Sequence, residues 1–463
     1  MPQESDRFAA AAAGIFAVAF VVRLVHVWQI RAAPFFSVLM GDSRGYDEWA
    51  RRIAGGDWIG HEVFYQAPLY PYFLGVIFAV AGRHLLLVRI IQIAIGSASC
   101  VLLALAARRL FSKAAGIAAG LILALYAPAI FFDGLLQKSV LDVFFVCLAL
   151  WIIARITTIN AEVAKDAKNS FTLRSSQSLR FSSWAGLGLA MGGLALTREN
   201  ALVFIGIIAV WGLVVARVRS VAAFVLGLAI VLVPVAARNA LVGGGFFVTT
   251  SQLGPNFYIG NNPTADGTYA SLRYGRGAPE YERQDATELA ELALGRRLSP
   301  AEVSSYWTDR ALQFITSQPS AWLELLGRKF ALVWNRAEMV DTEDQVTHAE
   351  WSRPLRLLGP VSHFGVLVPL AVFGVIVTWP TRSRLWVLHL MLVAYAASVV
   401  LFYVFARYRY PLVPFLVLFA AAGIAEMPSL LKRFSDVRSA ALSGPRINAG
   451  LKAPRYTVTK TAD

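Results

Sequence analysis

Short polar clusters interrupt an otherwise apolar chain, and their residue types are those of proton and phosphate chemistry. Asp42 and Asp47 lie in the run MGDSRGYDEWARRIAGGDW. Tyr65 and Gln66, Asp133, Lys138, Arg198-Glu199-Asn200, Arg238-Asn239 and Arg407 with Arg409 follow along the chain. A carboxylate can take a proton from an attacking hydroxyl or amine, and a guanidinium suits phosphate through paired hydrogen bonds. Each residue also has a local reading. Asp47 stands at helical spacing from Arg51, as in a helix-surface pair. Lys138 is long enough to snorkel, and Asp133 before Gly134 suits a helix cap.

The elements that must position these groups are membrane helices. Of 463 residues, 57% are hydrophobic and 16% charged, with a mean hydropathy of +0.56. A soluble chain carries about a quarter charged residues. Cys100 and Cys147 are the only cysteines and sit in apolar runs, so a disulfide-built fold is excluded. The +14 net charge, 43 Lys and Arg against 29 Asp and Glu, gathers beyond the apolar runs, where cytoplasmic loops collect cations. Nucleic acid is therefore not the expected partner; membrane lipids are.

A crossing needs roughly 20 apolar residues. The spacing predicts about ten, over 8–30, 85–110, 114–132, 135–156, 184–196, 201–215, 220–237, 355–379, 384–405 and 411–427. The PLYPYFLG stretch is expected at the interface. The segments on either side of TREN are short, as where irregular backbone lines a cavity. Residues 1–237 form an N-terminal membrane region whose first periplasmic loop is 31–66. A small, mostly helical periplasmic segment occupies 238–353, membrane helices 354–427 and a cytoplasmic basic tail 428–463. Within the periplasmic segment, GGGFFVTTSQLGPNFYIGNNPTADGTYA reads as strand-like before the segment turns helical. Ser299-Pro300-Ala301-Glu302 reads as a capping box, and 322–334 as an amphipathic helix on the membrane surface. The stretch 157–183 reads as a flexible loop. Arg108, Arg109, Lys113, Arg382, Arg384 and the tail cations fall on one side if both termini are cytoplasmic. Every polar cluster named above then lies at the outer edge of the membrane, as a multi-pass protein would place them.

The chain has no phosphate-binding G-x-x-x-x-G-K-[ST] loop, no H-E-x-x-H and no G-x-S-x-G. These absences argue against ATP-driven transport, a zinc protease and a hydrolase elbow. No alternating strand–helix pattern offers a nucleotide-sugar domain, so a transferase of this kind would take its donor through the membrane.

The segments GDSRGYDEWARRI, YQAPLYPYFLG, FFDGLLQKSVL, LALTRENAL, PVAARN, GPNFYIGNNPTADGTY and FARYRYPLVPF run from the first span to the last. In their order the chain resembles the GT-C superfamily of membrane glycosyltransferases. The likeness is nearest to the family 39 branch, with the protein O-mannosyltransferases and the lipid A aminoarabinose transferase. The resemblance implies an all-α polytopic membrane protein, a GT-C-like bundle. It makes Asp42 the catalytic base and Asp133 the nearest equivalent of a second catalytic carboxylate. Where many relatives carry an acid, this chain has Gln137-Lys138, and Lys138 becomes a phosphate contact.

The expected activity is transfer of a sugar from a polyprenyl-phosphate donor to an unknown acceptor (lipid, glycan or protein) by inverting displacement. Asp47, Tyr65, Gln66, Lys138, Arg198, Glu199, Asn200, Arg238, Asn239, Arg407 and Arg409 are the expected substrate contacts. No cofactor is required. A divalent metal stays open, held by Asp42 and Asp133 through oxygens if their helices meet. The rival reading is a transporter or flippase of an amphiphilic lipid-linked substrate.

Overall fold

Apolar runs in lipid must satisfy their backbone hydrogen bonds internally, which selects helices. The computed structural model describes residues 2–165, 170–216, 218–243 and 245–442, and among them there are helices and no strands. The chain is an all-helical, multi-pass membrane protein. Residues Met1–Ala425 form one compact unit and Glu426–Asp463 a second.

The first half runs α1 (Pro2–Ile30), α2 (Gly41–Ala54), α3 (Leu69–Ala81), α4 (Leu85–Leu110), α5 (Lys113–Ala124), α6 (Ala127–Gly134), α7 (Ser139–Lys165), α8 (Ser170–Ala195), α9 (Leu202–Val215) and α10 (Val218–Leu241). A polar half-turn region follows with α11 (Leu253–Gly260), α12 (Pro279–Leu294), α13 (Pro300–Ser317), α14 (Pro319–Trp334), α15 (Gln345–Trp351) and α16 (Arg353–Leu358). The chain then re-enters the bundle as α17 (Phe364–Thr378), α18 (Arg382–Leu401), α19 (Ala406–Arg409) and α20 (Val413–Leu442).

Among the described residues, six helical stretches are long and apolar enough to cross a membrane, and α5 with α6 makes a seventh bent by 53°. Pro128 in the first turn of α6 accounts for the bend. This is fewer than the ten crossings expected: 184–196 and 201–215 fall in α8 and α9, which are not among these stretches, and 355–379 and 384–405 share the one stretch 364–401. Residues 364–401 turn back on themselves. Phe364 packs under Arg409, Arg384 donates to the Arg109 carbonyl at the far end, and Ser398 returns to the level of the polar cavity. That contact also brings the basic segments around residues 109 and 384 together at one end.

Where helices cross closely, glycine removes the obstacle. A Cβ on Gly188 of α8 would collide with the Phe224 carbonyl oxygen of α10, and one on Gly227 with the Ala185 carbonyl oxygen. Small residues at such crossings allow the backbone approach that association in lipid depends on.

Two expectations need correction. The glycine-rich stretch after α10 forms no strand among the described residues; it leads into α11, because its glycines leave no alternating face to pair. Residues 157–165 and 170–183 continue α7 and α8 as helix rather than forming a loop, and 166–169 lie outside the described residues. α20 extends to Leu442, so the tail begins as helix, and 443–463 lie outside the described residues. The capping box is present: Ser299 accepts from the Glu302 backbone, and Glu302 accepts from the Ser299 backbone. α14 forms over the amphipathic stretch.

Candidate active site

The two polar stretches, 31–66 and 238–353, meet over one end of the helices and enclose a cavity of about 340 Å³. Pockets of this scale suit small-molecule groups. Its wall takes Asp42 and Tyr46 from α2, Lys138 from the α6–α7 turn, Arg198, Glu199 and Asn200 from the α8–α9 junction, and Arg407 from α19. Asp341 and Glu282 complete it from the long polar segment.

Asp42 sits in the first turn of α2, where exposed backbone N–H groups favour a negative charge. Gly41 before it has φ +52°, and a Cβ there would run into Thr342. Glycine therefore lets the 341–342 strap lie against the start of α2. Arg407 donates through Nη1 to Asp42 Oδ2, and Gln66 Nε2 donates to Asp42 Oδ1 at 3.0 Å. On the other flank, Arg407 Nε lies 3.0 Å from Asp341 Oδ2. Burial alone would raise the Asp42 pKa; the Arg407 charge and hydrogen bond, aided by Lys138 and Gln66, outweigh it and hold the carboxyl below its usual range. Asp341 goes the other way, raised by burial with only partial relief from Arg407.

The cations differ in how far they are already committed. Arg198 donates to Asp142 Oδ2 through Nε at 3.0 Å and Nη2 at 2.6 Å. Lys138 is 7% exposed and makes no hydrogen bond or ion pair among the described residues, although Glu199 lies within electrostatic reach. Its ammonium is the free positive charge of the wall. Glu199 Oε1 accepts from Thr250 at 2.9 Å and Gln252 at 2.7 Å. Glu282 accepts from the Tyr65 and Tyr269 phenols at 2.8 and 3.0 Å.

Other expected residues lie elsewhere. Asp133 is not on this wall: it is 2% exposed and receives Arg23 Nε at 2.6 Å, locking α6 to α1. Asp47 is buried too and joins α2 to Arg83 at 2.7 Å and to Arg51 at 3.1 Å, so the helix-surface reading understates it. Asn239 ties the Phe64 amide to the Phe247 and Thr249 carbonyls. Arg409 is spent on the Leu332, Val333, Asn335 and Ala337 carbonyls and on Glu338. Tyr65 and Arg238 line a second, more open cavity of about 780 Å³ that shares Gln66 with the first. There Arg238 Nε holds the Ile59 carbonyl at 2.7 Å.

Asp133→Asn therefore tests the sequence expectation. Breaking one side of a buried ion pair costs about 3–5 kcal/mol, so thermal unfolding in detergent shifts clearly downward. Any turnover per folded molecule is expected to survive; its selective loss would return Asp133 to the reaction.

The sequence profile of the dolichyl-phosphate-mannose-protein mannosyltransferase family matches residues 65–164. No curated protein sequence matches the chain. Among solved structures, the apo oligosaccharyltransferase of Archaeoglobus fulgidus overlays 94% of this chain and 52% of its own, at 12% identity and a TM-score of 0.51. ArnT of Cupriavidus metallidurans bound to undecaprenyl phosphate covers 94% of this chain and 80% of its own, at 15% identity and 0.38. The protein O-mannosyltransferase Pmt1-Pmt2 complex of S. cerevisiae, bound to the sugar donor, covers 57% and 38%, at 12% and 0.38. The chain thus spans about half the length of the archaeal protein it overlays. The overlay on the apo archaeal structure shows a shared membrane-protein fold, and the family profile covers 65–164 of the 463 residues.

Proposed function

We propose that the protein is an integral membrane glycosyltransferase that moves a sugar from a polyprenyl-phosphate donor to an acceptor. The observation that carries this reading is the cavity in which Lys138, an ammonium with no partner among the described residues, faces an ion-paired carboxylate, Asp42 on Arg407. A lipid-phosphate sugar brings its own leaving group, so the protein must mainly stabilise the departing negative charge. Lys138 does so with free N–H donors, and Arg407 adds a fixed charge beside it. Asp42, ionised at neutral pH, takes the proton as the acceptor attacks the anomeric carbon.

The bond to phosphate breaks with its electron pair as the new glycosidic bond forms. A single displacement inverts the anomeric centre. A retaining route would need a second carboxylate as nucleophile, about 5–5.5 Å from the first. Asp341, the nearest other acid to share a partner with Asp42, is engaged by Arg407. The proposed setting is the bacterial inner membrane, with both termini cytoplasmic and the cavity facing the periplasm. The larger Arg238-lined cavity across Gln66 gives an acceptor a way in.

The test is product analysis with purified full-length protein and undecaprenyl-phosphate sugars labelled in the sugar. Label leaving the lipid for an acceptor from a membrane extract, or for water, with inverted configuration by NMR, is the expected result. Label that stays on every lipid offered, while crossing vesicles that contain the protein, would replace this reading with transport.

A further inference from the structure

We propose that Arg407 is the resident cation of this cavity, standing between Asp42 and Asp341 where a divalent metal would otherwise bridge two carboxylates, and that the chain works without such an ion. Asp42 belongs to the first polar loop and Asp341 to the strap before α15; they are separated by most of the chain and share one guanidinium.

The donor set does not fit a hard divalent ion. Calcium takes 6–8 oxygen ligands, and magnesium demands near-ideal octahedral geometry. Here Asp42 spends one oxygen on Arg407 and the other on Gln66. Asp341 Oδ2 faces Arg407 Nε at 3.0 Å. The other acids on the wall are committed to neutral donors: Glu199 to Thr250 and Gln252, Glu282 to two tyrosines. Asp133, the expected partner of Asp42, is bound to Arg23 instead. Among the described residues, no group of three His, Cys, Asp or Glu side chains is placed to hold a metal.

The placement of the cations points the same way. Of the three cations on the wall, Arg407 and Lys138 both act on the Asp42 carboxylate. An added dication would sit close to both cations in a medium where Coulomb repulsion is weakly screened. A guanidinium is always charged, planar and weakly hydrated, so it can serve as a fixed electrostatic centre without ligand exchange.

The inference rests on the proposed function only in placing the reaction at this cavity, and its test needs no turnover. Full-length protein in detergent is titrated with Mn²⁺ and followed by electron paramagnetic resonance, alongside Arg407→Gln and Asp341→Asn. Wild type is expected to show no saturable Mn²⁺ uptake, and EDTA to leave its binding of undecaprenyl phosphate unchanged. Arg407→Gln is expected to gain a saturable site that the double variant with Asp341→Asn loses. Stoichiometric uptake by wild type that disappears in Asp341→Asn overturns the proposal. So does a folded Arg407→Gln that takes up no more Mn²⁺ than wild type. The wild-type and Asp341→Asn titrations decide the matter even if Arg407→Gln fails to fold. A protein that transfers no sugar but still excludes Mn²⁺ would sink the proposed function and leave this inference standing.

Discussion

Asp42→Asn is expected to leave the protein folded and inserted while lowering sugar transfer by roughly 10²–10⁴-fold, the usual contribution of a positioned general base. The amide keeps the shape of the side chain and can still meet Gln66, and Arg407 keeps Asp341 as its counter-charge. Folding is therefore spared where chemistry is not. Because Arg407 holds the Asp42 carboxyl below its usual range, the wild-type base stays ionised well into the acid region. Lost activity should not appear until the pH falls below the ordinary Asp value of about 3.9, provided the fold survives. The measurement is single-turnover release of labelled sugar, with bound donor determined separately. An Asn variant that keeps most of its turnover would remove Asp42 from the base role.

The second large effect falls on donor binding. Lys138→Gln removes the one cation on the wall that has no protein partner among the described residues, so it breaks no internal hydrogen bond. A hydrogen bond to a charged group is worth about 1.5–3 kcal/mol, which is roughly 10–100-fold in affinity for undecaprenyl phosphate. Burial pulls the Lys138 pKa down from its usual value. Donor binding should accordingly weaken as pH rises through that lowered value, earlier than the ordinary lysine value of about 10.4 would allow. Arg238→Ala, whose guanidinium is occupied by loop carbonyls in the other cavity, serves as the contrast: its effect on the bare lipid phosphate should be small. Equal losses for both variants, read by quenching of tryptophan fluorescence, would count against Lys138 as the phosphate contact.

The fold was legible because lipid imposes a simple rule on composition. Long apolar runs had to be helices, and α1, α4, α7 and α10 appear where hydropathy puts them. The site was legible in part. Asp42, Lys138, Arg198 and Arg407 stand out in sequence because charge beside an apolar run is costly, and they come together around one cavity.

Direction along a helix end, however, is not encoded in residue type. Asp133 carries the same signal as Asp42, yet it faces Arg23, and nothing local distinguishes a cavity from a neighbouring helix. Asp341 and Glu282 were passed over because a charge within an already polar segment shows no contrast; only the folded strap brings them inward. Asp142 was a miss with a visible signal. An acid in an apolar run, one turn after Lys138, is expected to have a partner, and Arg198 is that partner.

A structure of the full-length chain with undecaprenyl phosphate bound tests the central claim most directly. The account predicts phosphate oxygens within hydrogen-bond reach of Lys138 Nζ, with the Asp42–Arg407 pair beside them. Phosphate seated instead among Arg51, Arg52, Arg238 and Arg283 of the larger cavity, away from Lys138, would contradict it.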